Sequence, residues 1–285
     1  MKDFFIFFLF FFNFALINLF AEDKKEGLEV DLRQLSLNFT STEIKNSNPN
    51  FTSSRLNTDS EVHIQGKLDF MTNYFFNKFF WSNSLISEYG KTYIKPKDLE
   101  KYETENVDKI LLNTDLTLRA WLFENVLGGF ETGPFASIEY ETEFNSDQNL
   151  KKILRSKFGI KAFEGKYIKD LYFAYILEED YTYEKNSNKT GYETGYNLIF
   201  DIKEGIKFAN FLKFRKYLSI EKENISDLDY EFETEIRLDV KLFNKLSLAP
   251  FINYYRSALK TPHISADNWY TGISLSYSNM FKKAD

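Results

Sequence analysis

The charges that could act in concert lie on short runs of alternating residues. Glu131, Glu139 and Glu141 recur at even spacing, and so do Arg155, Lys157 and Lys161 a little further on. Later, Lys207, Lys213 and Arg215 are followed by Asp229, Glu231, Glu233 and Glu235. In an extended chain, residues an even number apart share one face, so each run presents a ladder of one sign. A hairpin across the loop at Asn145–Lys152 sets Glu141 opposite Arg155 and Glu139 opposite Lys157. The later pair of runs brings Arg215 to Glu233 or Glu235. Facing opposite charges stabilise strand pairing by roughly 0.2–1 kcal/mol each. Around a narrow aqueous passage such ladders set a transverse field and screen small polar solutes. Inside a closed interior they form a polar core that fills it, each charge kept paired.

Other chemistry has little to work with. There are no cysteines, which removes disulfides, thiol catalysis and Cys-ligated zinc. The two histidines are His63, on the polar face of its segment, and His263, in a polar loop with Asp267 nearby. That loop couple is the one acid–base candidate for a hydrolase acting on lipid or peptide at an outer rim. His63 has the wrong parity for a Ser–His pair on an apolar outer face. No residue set is assigned to catalysis, to a metal or to a cofactor. A net charge of -6 and a pI near 5.3 argue against a nucleic-acid partner.

The segments that would position the ladders repeat one pattern from about Leu28 to Tyr277. Apolar residues fall at every second position over about ten residues, then the pattern breaks. Leu28, Val30 and Leu32 alternate, and Leu35, Leu37 and Phe39 continue one step out of phase, which predicts a bulge near Arg33–Gln34. Ile110, Leu112, Leu116, Leu118 and Leu122 mark a fourth strand, and Ile206 to Ile220 and Leu228 to Leu242 are equally regular. The segment Ile168–Tyr181 is apolar on both faces, so its register stays open. About twelve strands are expected. The breaks near Asn77, Asn125–Gly128, Glu164–Lys166, Lys203–Gly205 and Phe243–Lys245 are tight. Those at Ser41–Ser54, Lys91–Asn106, Asn145–Lys152, Thr182–Thr190 and Ala258–Asp267 are long and polar. Alternating short turns and long loops are the pattern of an antiparallel barrel spanning an outer membrane, with both termini at the turn end. A mean hydropathy of -0.40 is compatible with this, because polar inward residues cancel the lipid-facing ones. Aromatic residues near strand ends suit interfacial girdles. The acidic stretches Asp98–Asp108 and Glu178–Glu184 are expected to face outside.

Ahead of the strands, Phe4 to Phe20 is an apolar run ending at Ala21, read as a signal peptide over 1–21 with the barrel over 22–285. The last strand carries Gly272, Leu275 and Tyr277, and it resembles the C-terminal assembly signal of outer-membrane barrels. Trp81, Asn83, Leu85, Tyr89–Gly90 and Asp108–Lys109–Ile110 resemble the outer-membrane barrel families that include the salt-induced outer-membrane protein. These resemblances imply an all-β fold in the bacterial outer membrane. They also imply outer-membrane lipid, lipopolysaccharide and the barrel assembly machinery as partners. The expected role is a narrow porin-like channel for small polar solutes, or a structural surface barrel. An outer-rim hydrolase and a soluble periplasmic all-β binding protein are the alternatives. Lumen parity of His63 disfavours the first, and the alternating loop lengths disfavour the second.

Overall fold

The computed structural model describes residues 26–46, 51, 62–94, 102–145, 149–184 and 186–282. The expected signal peptide lies outside the described residues. The described chain is extended almost throughout. Its strands are β1 (Gly27–Lys45), β2 (Val62–Phe76), β3 (Phe79–Ile94), β4 (Tyr102–Leu118), β5 (Trp121–Phe123), β6 (Phe130–Thr142) and β7 (Lys152–Phe163). They continue as β8 (Ile168–Asp180), β9 (Ser187–Lys203), β10 (Ile206–Glu221), β11 (Leu228–Phe243), β12 (Leu246–Leu259) and β13 (Ser265–Lys282). Apart from β4 and β5, which do not pair with each other, consecutive strands pair antiparallel, and β1 pairs with β13. Both β4 and β5 pair with β6, so they form one stave interrupted at Arg119–Ala120. The sheet therefore closes on itself as a barrel of twelve staves with no free edge.

The bulge forms where the phase slip predicts it. Leu32 faces Phe70 and Gln34 faces Asp69, which leaves Arg33 as the extra residue. The Ile168–Tyr181 register is settled as well, because Leu171, Phe173 and Tyr175 point outward while Tyr172, Ile176 and Glu178 point inward. Two expectations need correction. The strands run further than the hydropathy pattern: β3 reaches Ile94 and β4 starts at Tyr102, inside the stretch read as a long loop over Lys91–Asn106. Backbone hydrogen bonding there continues past the apolar alternation, so the hairpin stands taller than its lipid-facing part. Also, Glu178 and Asp180 do not face outside, since β8 carries both into the interior.

The two faces of the wall are inverted relative to a soluble protein. Phe173 is 61% exposed, Leu218 60% and Ile160 56%, whereas Glu193 is 0% exposed and Arg215 and Glu178 are 2%. Apolar exposure on every stave far exceeds what water-soluble proteins present. It is what lipid requires of a closed barrel. Two aromatic belts bound this apolar zone. At the loop end, Phe173, Tyr192, Phe214 and Tyr230 run on with ring centroids 6.1–6.4 Å apart, and Tyr254 meets Trp269 at 4.5 Å. At the turn end, Tyr74, Phe76 and Phe79 are stacked in sequence, and Tyr167, Phe200 and Phe208 continue the ring. Amphipathic rings at both interfaces fix the barrel's height in the membrane.

Candidate functional site

The interior is built by the inward-facing residues of β6 to β11. Pairing places Glu139, Arg155, Glu178 and Lys189 in one row across β6, β7, β8 and β9. A second row sets Glu193, Arg215 and Glu231 side by side across β9, β10 and β11. Charge alternates along both rows, so each group finds opposite charge on either side. Arg155 Nη1 donates to Glu139 at 2.8 Å and to Glu141 at 2.5 Å, and its Nε donates to Glu178 at 2.5 Å. Lys157 Nζ donates to Glu139 and to Glu193, both at 2.8 Å. Arg215 meets Glu193 at 2.5 Å, Glu231 at 2.9 Å and Glu139 at 3.5 Å. The last contact joins β10 to β6 directly across the lumen. The Tyr217 hydroxyl donates to Glu178 at 2.5 Å and the Tyr172 hydroxyl to Glu193 at 2.6 Å.

Nearer the turns, Lys161 lies 3.1 Å from Asp115 and 3.7 Å from Asp170, and Arg119 grips Glu131 at 2.6–2.7 Å. Arg119 also rests over the Phe75 ring, and Phe75, Phe80 and Phe163 form an apolar cluster that reaches from β2 and β3 to the end of β7. The opposite wall, on β12, β13 and β1, mixes short polar residues with the buried rings of Phe251, Tyr255 and Tyr270. Ser257, Asn268 and Ser274 are wholly buried although they face inward. Over these short residues the interior follows a small-against-large pattern, with long side chains from the charged half filling the space. At the loop end a cavity of about 80 Å³ remains, lined among others by Lys109, Glu233, Tyr217 and Tyr255, with Phe51 packed on Tyr255 and Leu259. On the rim above it, Lys151 loses hydration on burial, but Glu141 at 2.6 Å outweighs this and holds the ammonium above the ordinary lysine range. Burial pushes the neighbouring Glu143 carboxyl up.

Glu139, Glu141, Arg155, Lys157, Lys161, Arg215 and Glu233 lie buried inside the barrel, whereas Asp229 falls at a register shift and its carboxylate meets the outward Lys216, and the pairing register differs from the expected one. Glu139, not Glu141, sits opposite Arg155, and Ser137 sits opposite Lys157. The expected ion pairs form all the same, because these side chains are long enough to bond a diagonal neighbour. Arg215 does not meet Glu233 or Glu235. It sits opposite Glu231, while Glu233 lies 3.9 Å from Lys213 and Glu235 is opposite Phe211. Lys207 is exposed at the turn end, in register with Asp239 and Asp201. Glu178, Lys189, Glu193, Tyr172 and Tyr217 were not anticipated. Outward Tyr192 and Tyr196 fix the parity of β9, which could have placed Lys189 and Glu193 inside. His63 is buried with its Nε2 3.1 Å from Thr42 Oγ1, and His263 is exposed.

The residues read as an assembly signal have a packing role of their own. Leu275 and Tyr277 face lipid, and Gly272 faces inward under the Phe251 ring. A Cβ at 272 would lie 3.0 Å from Phe251 Cζ and 2.5 Å from the Phe39 carbonyl oxygen. Gly272→Ala is therefore expected to destabilise the refolded barrel by about 1–3 kcal/mol. Adding Phe251→Leu should recover only part of that, since the backbone contact remains. Urea midpoints of the three proteins decide it, and a neutral Gly272→Ala would rule the packing role out.

Twelve antiparallel staves, an apolar wall between two aromatic belts and a charged interior define a transmembrane β-barrel of the outer-membrane class. No family model and no curated protein sequence matches the chain. Among solved structures it is similar to the outer membrane channel DcaP of Acinetobacter baumannii, at 9% identity and a TM-score of 0.46, covering 91% of this chain and 100% of that one. It is similar also to an outer membrane channel from Pseudomonas putida F1, at 9% identity and 0.45, covering 92% and 100%. A third is the translocator domain of the autotransporter NalP from Neisseria meningitidis, at 8% identity and 0.34, covering 89% and 90%.

Proposed function

We propose that the protein is a narrow, porin-like barrel of the bacterial outer membrane whose lumen is closed at rest by its own ion network. Passage is limited to small polar solutes that move as the network rearranges. The observation that carries this reading is the chord from Arg215 on β10 to Glu139 on β6, with Arg155, Lys157, Glu178 and Glu193 buried around it. A general diffusion pore would leave those groups in water. The likeness of Trp81 to Phe144 to the salt-induced outer-membrane protein families supports the same reading and extends it to that group. Gly272, Leu275 and Tyr277 serve in it as the signal to the barrel assembly machinery. The protein acts without catalysis in this reading: His63 is buried inside the barrel against Thr42, on the face opposite the lipid-facing wall.

The test is conductance in a planar bilayer, wild type beside Glu139→Gln/Arg215→Ala, which cuts the chord while removing one charge of each sign. The wild type should show small, brief openings, and the variant a conductance several-fold larger and long-lived. Steady, large conductance from the wild type would overturn the closed lumen. Silence from both, with gel mobility still changed by boiling, would leave a structural barrel.

A further inference from the structure

Almost every described arginine lies inside the barrel on a carboxylate. Arg33 holds Asp69, Arg119 holds Glu131, Arg237 holds Asp239, and Arg155 and Arg215 belong to the network. Arg256 does not follow them. Alternation along β12 turns it outward, where it is exposed and meets no carboxylate among the described residues. Its Nε donates to the Tyr230 hydroxyl at 2.9 Å, and its Nη2 lies 3.5 Å from Ser265 Oγ. Tyr230 belongs to the loop-end aromatic belt through Phe214. Lys216, the register partner of Tyr230, also faces outward. Its Nζ lies 2.6 Å from Asp229, and Lys260 approaches the same carboxylate at 3.2 Å. Arg256 thus meets Tyr230, and Lys216 and Lys260 share the carboxylate of the adjacent Asp229. On the far side, Asp267 is in register with Arg256 and with Lys45, and Glu43 lies beyond, opposite Trp269.

A guanidinium facing acyl chains is unfavourable unless an anion reaches it from the lipid side. Its planar fork suits a phosphate, which takes two parallel hydrogen bonds, and the two lysines add unshaped positive charge. The site sits at the loop end, on the outer side of the membrane, at the height where headgroups meet acyl chains. We propose that Arg256, Lys216 and Lys260 form a docking site for a phosphate of the outer-leaflet glycolipid, the lipid A portion of lipopolysaccharide. Tyr230 holds the Arg256 fork in place. The inference rests on the transmembrane reading and is independent of whether the lumen conducts.

The experiment measures retention of diphosphorylated lipid A by the refolded full barrel, using native mass spectrometry from detergent. Wild type is compared with Arg256→Gln and Arg256→Lys, each checked for a mobility change on boiling. Parallel arms use dephosphorylated lipid A and competing inorganic phosphate. Arg256→Gln should retain the lipid about tenfold less well, the loss expected for one charge-assisted bidentate contact. Arg256→Lys should fall between, dephosphorylated lipid should not be held, and inorganic phosphate should not displace the lipid. Equal retention by a folded Arg256→Gln overturns the site. Equal retention of dephosphorylated lipid makes it a purely apolar contact, and full displacement by inorganic phosphate makes it a general anion site, each against the proposal. A wild type whose mobility ignores boiling would remove the transmembrane reading itself.

Discussion

Replacing Arg155 by Met lowers the unfolding free energy of the refolded barrel by about 3 kcal/mol, the lower end of the cost of breaking a buried ion pair. Arg155 binds three carboxylates, and its loss leaves excess negative charge among buried groups. The value sits at the lower end because each carboxylate keeps a second cation. Glu139 retains Lys157 at 2.8 Å, Glu141 retains Lys151 at 2.6 Å and Glu178 retains Lys189 at 3.1 Å. Arg155→Lys keeps the charge but cannot span three acceptors with one ammonium, and should cost about half as much. Adding Glu178→Leu to Arg155→Met should recover much of the loss, since an apolar pair can replace a buried ionic one at little net cost. Urea unfolding in vesicles, followed by tryptophan fluorescence, measures all three. An Arg155→Met barrel within about 0.5 kcal/mol of wild type would mean the network is solvated, and the closed lumen would fall with it.

That network was half legible in the sequence, for reasons that lie in particular residues. Parity is a local property with a period of two, so Glu139, Glu141, Arg155 and Lys157 could be placed inside from their apolar neighbours alone. Register is not local. It depends on how many residues the turn consumes, and the Asn145–Lys152 connection hides the two-residue offset that puts Glu139, rather than Glu141, opposite Arg155. The Arg33 bulge was visible because it breaks parity, and the β8 register was not, because Leu171 to Leu177 is apolar on both faces. That one ambiguous strand hid Glu178, the middle of the first charge row, and Tyr172, which bonds Glu193 of the second. Contacts across the lumen, such as Arg215 with Glu139, carry no sequence signal at all. They follow from barrel closure and from the reach of side chains between staves that are not paired.

Closure also makes one backbone position decisive. Gly159→Val should leave no heat-modifiable barrel under conditions that fold the wild type. Gly159 faces Ala174 in an unbroken stretch of the β7–β8 ladder, so no bulge nearby can absorb an added side chain. A Cβ there would collide with the Phe173 carbonyl oxygen and lie 2.7 Å from Ala174 Cα, both parts of the backbone. Side chains can turn aside, but a paired strand cannot move without giving up hydrogen bonds, and in lipid those have no water to replace them. The neighbouring rungs join Arg155 to Glu178 and Lys157 to Ile176, so parting β7 from β8 also breaks the first charge row. In a closed sheet the displacement has no free edge to dissipate at, and it passes to β6 and β9 on either side. Gly159→Ala puts the same Cβ against the same backbone atoms, so it too should cut the yield of heat-modifiable barrel, by less than Val, and lower the urea midpoint of the fraction that folds. Gel mobility before and after boiling reports the first outcome, and the urea midpoint reports the second. A Gly159→Val protein that folds at wild-type yield would show that β7 and β8 are further apart than the close approach requires.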